Sequence, residues 1–242
     1  MQGKVAIIFG SGGSIGKVIT SYLHSKGVKV IGVGRSNKES NTDAFYVCDF
    51  GSEKQIAATY EEIKKEHGDY HYLILAHGTQ LRKPFIEFTL DEWNEIMSIN
   101  LTSNFLICKY FIDVLISNKF GRIMGISSLT SQIGLRRIAP YAASKGGFEQ
   151  MLKTLAVEVA EYGITVNTLN PGRIETKMTN DLNDKQNSKE SIISRVPMNR
   201  FGNPEDLLSA VQFILDDKSG YFTGQSIVVD GGWLASGGNP KS

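Results

Sequence analysis

The chain has 242 residues, 41% of them hydrophobic and 21% charged, with a formal net charge of +1 and two cysteines. That length suits one α/β domain with a sizeable core, and the near-neutral balance gives no electrostatic basis for binding nucleic acid or an anionic membrane. Cys48 and Cys108 both lie in apolar surroundings, make no disulfide framework, and read as buried free thiols of a reducing, cytoplasmic setting. Met1 to Lys4 run straight into VAIIF, leaving no room for a signal peptide. No apolar stretch approaches the roughly 20 residues of a membrane span. His24, His67 and His71 are scattered and make no metal-ligand spacing, so no metal is expected.

Short β-branched runs alternate with longer helical patterns. Strands are predicted at Val5–Phe9, 28–33, 45–48, Tyr72–Leu75, 122–126, 164–169 and Ser226–Val229; helices are predicted at 15–26, 53–66, 90–117, 140–162 and 204–216. Continuous apolar strands separated by helices imply a parallel sheet covered on both faces. The fold class is therefore α/β, a doubly wound (Rossmann-type) parallel sheet of about seven strands, in one domain spanning 1–242. Ligands of such sheets bind outside the carboxyl ends of the strands. The long polar stretch at 177–200 directly follows a strand end, and is read as a lid over that edge.

The first strand ends in GSGGSIG, residues 10–16. Glycines let a backbone turn tightly and approach a phosphate, and the helix that follows offers free N–H groups and a positive dipole end. The second strand ends at Gly34-Arg35-Ser36, where a site for NAD would want an acid on the ribose hydroxyls. A guanidinium there suits the 2′-phosphate of NADP instead. Further along, Pro140 opens a helix on which Tyr141 and Lys145 stand one turn apart on one face. An ammonium beside a phenol favours phenolate, making a better proton donor and acceptor near neutral pH. Ser128, thirteen residues earlier, places a hydroxyl at a strand end. A tyrosine and a lysine at this spacing also occur on ordinary amphipathic helices, and the serine and the glycine loop decide against that alternative.

Ser128, Tyr141, Lys145 and the upstream Asn100 resemble the catalytic set of the short-chain dehydrogenases/reductases, and the resemblance runs from Val5 to Trp233. It implies a dinucleotide cradled by Gly10, Ser11, Gly12, Gly13, Ser14, Ile15 and Gly16, with Arg35 and Ser36 at the adenosine phosphate and Asp49 and Phe50 at the adenine. It implies also that Ala76 and Gly78 approach the cofactor's ribose side, that Pro171-Gly172 turns the chain, that the Ile174 amide meets the carboxamide, and that Thr176 sits near the phosphates. Tyr141 becomes the proton donor and Ser128 holds the reacting oxygen; Lys145 binds ribose hydroxyls and depresses the tyrosine pKa. Asn100 locally breaks helical bonding and holds a water linked to the lysine. Two departures stand out. Ser14 replaces a family glycine, and Leu75, Ala76, His77 and Gly78 replace Asn-Asn-Ala-Gly, so something other than those amides must brace the sheet. His77 is read as structural.

The activity implied is NADP-dependent hydride transfer (NAD remaining possible) between nicotinamide and a carbonyl or secondary alcohol, in a homo-oligomer, tetramer or dimer. The stretches HGTQLRKPFIEF and RVPMNRFGNPEDLL are most similar to the gluconate 5-dehydrogenase-like branch, which implies a sugar acid or polyhydroxy substrate. Arg82, Arg136, Arg137 and Arg173 are candidates to grip its carboxylate, with at least two expected to be surface or subunit-contact residues. The alternative is a 3-oxoacyl-(acyl-carrier-protein) reductase. A non-catalytic nucleotide-binding regulator is the remote third, opposed by the presence of both Tyr141 and Lys145.

Overall fold

The computed structural model describes residues 1–36, 41–176 and 189–237. Seven strands form one sheet: β1 (Val5–Phe9), β2 (Lys29–Gly34), β3 (Ala44–Val47), β4 (Tyr72–Leu75), β5 (Gly121–Ile126), β6 (Ile164–Pro171) and β7 (Ser226–Val229). Their order is β3-β2-β1-β4-β5-β6-β7 and every pairing is parallel. The order reverses between β1 and β4, which opens a crevice at their carboxyl ends. The helices are α1 (Ser14–Ser25), α2 (Glu53–His67), α3 (Leu90–Met97), α4 (Ser103–Asn118), α5 (Ala139–Val159), α6 (Lys189–Ile193) and α7 (Leu208–Leu215).

Each face of the sheet carries its own core. Ile7, Phe9, Ile31 and Leu73 point to the side covered by α2, α4 and α5, where Ile56, Phe111, Phe148 and Leu152 meet them. Ala6, Ile8, Val30 and Ile74 point the other way, onto Ile19 and Leu23 of α1 and Val211 and Ile214 of α7. Alternation along a strand sends successive side chains to opposite faces, so near-continuous apolar strands are what two covered faces require. Cys48 and Cys108 are both free and buried.

Two sequence expectations are corrected. The helix expected at 90–117 is α3 and α4 joined by a π turn, Ser98–Thr102. Its cause is Asn100, whose buried amide bonds the backbone beyond β4 and so draws the turn out of regular winding. The stretch Leu90–Asn118 is also long and apolar enough to cross a membrane by length and composition, contrary to the expectation from sequence. In the fold that apolarity faces inward: Leu106, Ile107, Phe111 and Leu115 are buried in the core. Gly147 of α5 packs against the π turn, since a Cβ there would stand 3.0 Å from the Leu101 side chain. Of the expected lid, residues 177–188 lie outside the described residues, and the remainder begins with α6.

The glycine loop is fixed by two close approaches. Gly10 adopts φ +88°, and a Cβ on Gly16 would lie 2.2 Å from the Gly10 carbonyl oxygen. Gly16→Ala should therefore lower stability by at least the ~1–3 kcal/mol typical of overpacking, read as a lower urea midpoint. Gly13→Ala, whose Cβ would meet the same oxygen at 3.3 Å, should be milder. Equal midpoints for the two variants would contradict this account of the loop.

Candidate active site

The carboxyl ends of β1, β2, β4, β5 and β6 open onto one cavity of about 550 Å³. The glycine loop contributes Gly10, Gly12, Gly13, Ser14 and Ile15; β2 delivers Arg35 and Ser36; Asp49 and Phe50 follow β3. Beyond β4 stand Ala76, His77, Gly78 and Arg82, and beyond β6 Pro171, Gly172, Arg173, Ile174 and Thr176. Ser128, Tyr141 and Lys145 complete the wall. Of the residues singled out from sequence, Ser11, Gly16, Asn100, Arg136 and Arg137 do not line it. Ser11 is buried, Gly16 packs beneath the loop, and Asn100 is fully buried. Arg136 and Arg137 are exposed, and Arg137 takes φ +69° while its carbonyl accepts the Lys83 N–H at 3.0 Å. Two of the four arginines thus reach the cavity.

Ser128 caps the short turn after β5. Its hydroxyl oxygen accepts the Thr130 N–H at 3.2 Å and the Thr130 hydroxyl at 3.0 Å, and it is hydrogen-bonded to the Tyr141 phenol. Thr130 was not foreseen, although a serine followed two residues later by threonine is a local hydrogen-bonding turn signal. Lys145 is buried, and its ammonium donates to the Ile126 carbonyl at 2.8 Å, the end of β5. Burial pulls its pKa down to about 8. The ammonium is turned to Ile126, with its nitrogen 5.9 Å from the Tyr141 ring centroid. Burial raises the Tyr141 pKa; the opposing influences are the Ser128 hydrogen bond and the Arg173 guanidinium.

Asn100 works from behind the wall. Its Oδ1 accepts the Thr79 N–H at 2.8 Å, and its Nδ2 donates to the Thr79 carbonyl at 2.9 Å and to Ser144 Oγ at 3.0 Å. Ser144 in turn donates to the Tyr141 carbonyl at 2.8 Å, so the π turn, the exit of β4 and the first turn of α5 are one unit. Glu149 is a second hub, unnoticed in the sequence: buried on α5, it accepts from Asn170 at 2.9 Å and from Ser226 at 2.5 Å.

A family model described as enoyl-(acyl carrier protein) reductase matches residues 10–234. The chain belongs to the short-chain dehydrogenase/reductase family. It is 37% identical to the 3-oxoacyl-(acyl-carrier-protein) reductase FabG of Haemophilus influenzae over 98% of this chain and all of that one. The Vibrio cholerae FabG is 35% identical over 96% of this chain and 98% of its own. Among solved structures, a gluconate 5-dehydrogenase of Burkholderia cenocepacia in complex with NADP and tartrate superposes with TM-score 0.91 at 29% identity, covering 97% of this chain and 96% of that one. Levodione reductase superposes with the same TM-score at 26% identity, over 97% of this chain and 99% of that one.

The departure from the family pattern after β4 has its compensation in His77. Ser103 donates its hydroxyl to the Ile99 carbonyl at 2.6 Å, so its oxygen accepts from His77 Nε2 at 2.7 Å. That chain fixes the tautomer, leaving Nδ1 as an acceptor with no partner among the described residues. The ring packs on Phe50 at 4.2 Å between centroids. One imidazole thus ties the end of β4 to the π turn, where the family's amides would stand. Burial, aided by the Lys145 charge, pulls the His77 pKa down from 6.5 to about 3. The unfolded chain therefore takes up this proton first, and stability from a neutral His77 is present above pH 6.5 and lost as pH falls toward 3. His77→Gln should flatten the fall in urea midpoint between pH 7 and pH 5. Parallel profiles for the two proteins would contradict the assignment.

Proposed function

We propose that the chain is an NADP(H)-dependent oxidoreductase interconverting a carbonyl and a secondary alcohol, with a sugar acid or related polyhydroxy compound as substrate. The observation that carries this is the opening of Ser128, Tyr141 and Lys145 onto the same cavity as the glycine loop and Arg35.

The residues present fit the cofactor. No side chain caps the amino end of α1 and no acid stands in its first turn, so its positive dipole end suits a pyrophosphate. Arg35 at the end of β2 supplies the cation for a 2′-phosphate. Lys145 has three donors and, among the described residues, one hydrogen-bond acceptor, which leaves donors for ribose hydroxyls. When bound, the nicotinamide would supply or accept the hydride. The chain's own groups handle the oxygen and the proton. Ser128, held by Thr130, orients the substrate oxygen where negative charge develops. Tyr141, its pKa raised by burial, stays protonated at neutral pH and gives its proton to that oxygen during reduction. Lys145 and the Asn100 unit hold the tyrosine's helix and supply the polar surroundings through which the proton is replaced.

A second reading, reduction of a 3-oxoacyl thioester, is favoured by the two FabG relatives. The sugar-acid reading is supported by the gluconate 5-dehydrogenase likeness and by the two arginines in the cavity wall. Homo-oligomeric assembly belongs to the same reading, supported by apolar side chains exposed on α4 (Phe105), on α5 (Val157) and before β7 (Tyr221).

Tyr141→Phe should leave NADPH binding, followed by fluorescence, within a few-fold of the unchanged protein while turnover drops by ~10²–10⁴-fold, the range for a lost general acid. Near-normal turnover would remove Tyr141 from the chemistry. NADPH should give the higher kcat/KM than NADH, and Arg35→Asp should reverse or abolish that preference; an unchanged protein that prefers NADH contradicts it.

A further inference from the structure

Arg173 directly follows the Pro171-Gly172 turn, and both its backbone and its side chain are immobilised. A Cβ on Gly172 would lie 2.6 Å from Asp230 Cα, so the turn is pressed against the segment after β7. The Arg173 carbonyl accepts the Gly202 N–H at 2.8 Å, and the Gly202 carbonyl accepts the Glu175 N–H at 2.8 Å. The side chain lies over buried Trp233, with the guanidinium carbon 5.6 Å from the ring centroid. Trp233 is itself presented by the turn whose Asp230 carboxylate accepts from the Gly232 and Leu234 N–H groups, both at 2.8 Å. A guanidinium is thus fixed in the cavity wall close enough to the Tyr141 phenol and to Arg82 for each to feel its charge.

What this cation lacks is a counter-charge. Among the described residues no carboxylate pairs with Arg173, whereas Arg200, which lines a neighbouring cavity with it, is matched to Asp206 at 2.6 Å. Burial and the like charge of Arg82 both disfavour its protonated form, bringing its pKa down to about 10, so at neutral pH it remains a cation. Holding a half-buried charge beside a like charge is unfavourable unless an anion arrives to answer it. Neither Thr130 nor Ser128 can do so, both being neutral. A planar guanidinium with fixed donors matches a carboxylate in particular.

We propose that Arg173, with Arg82 beside it, is the receptor for a carboxylate that the substrate carries, and so selects keto acids over uncharged ketones of the same size. This rests on the oxidoreductase reading above and narrows its substrate class. It also separates the two substrate readings, because an acetoacetyl thioester has no anion near its reacting carbonyl.

The test is a matched pair, 5-keto-D-gluconate and L-sorbose, which differ in carboxylate against CH₂OH at one end. With saturating NADPH, the unchanged protein should show kcat/KM at least tenfold higher for the keto acid. Arg173→Met should raise KM for the keto acid by tenfold or more with a smaller change in kcat. It should lower the preference for the keto acid over L-sorbose at least tenfold, any effect through Tyr141 being common to both substrates; Arg173→Lys should recover part of the lost keto-acid affinity. The inference is overturned if Arg173→Met lowers both substrates equally, or leaves the keto acid's KM unchanged. It is equally overturned if the unchanged protein reduces L-sorbose or acetoacetyl thioesters as well as the keto acid, although the oxidoreductase reading would then survive. Failure to bind NADPH or to reduce any of the three would instead remove the oxidoreductase reading, and the carboxylate receptor with it.

Discussion

The site depends on a lysine ammonium held out of water. Lys145 is buried at the start of α5 with its hydrogen bond to the Ile126 carbonyl, at the last residue of β5. That single contact sets the height of α5 against the sheet, and with it the place of Tyr141 one turn earlier. An ammonium removed from water is unfavourable alone. The surrounding structure compensates through geometry more than charge: Asn100 and Ser144 lock the helix start to the exit of β4, and Glu149 locks its middle to β6 and β7. The reacting groups therefore stand on rigid elements, as preorganised chemistry requires.

The same constraint explains the π turn. A continuous helix over 90–117 would satisfy its own backbone and leave the Thr79 N–H and carbonyl beyond β4 without the Asn100 amide. The wider turn at Ser98–Thr102 brings that amide inward and also places Leu101 against Gly147 of α5. The loss of regular winding in one helix is thus the means by which two helices and a strand end are joined.

Much of this was legible in the sequence. Apolar runs alternating with helical patterns located all seven strands to within two residues, because covered parallel strands carry no polar alternation. The glycine loop, Arg35, Ser128, Tyr141 and Lys145 were visible because each has a backbone or chemical reason to sit at a strand end or first helical turn. What spacing could not show was direction. Arg136 and Arg137 follow the same strand as Ser128 yet face outward, while Arg173 is turned inward by Gly202 and Trp233, partners distant in sequence. His77 looked like a lone histidine after a strand; its role arises from Ser103, which only the π turn brings within reach. The Arg173 guanidinium beside Tyr141 was likewise not visible, because spacing says nothing of partners distant in sequence.

The most direct measurement is the titration of Lys145 itself in the free protein, by NMR of ¹³C-lysine-labelled chain with Lys145→Arg to assign the signal. The account predicts a midpoint near 8, well below the ordinary 10.5, because the ammonium is buried with a single carbonyl for a partner. A midpoint near 10.5 would mean that the ammonium is solvated, and would contradict the buried arrangement on which the site is built.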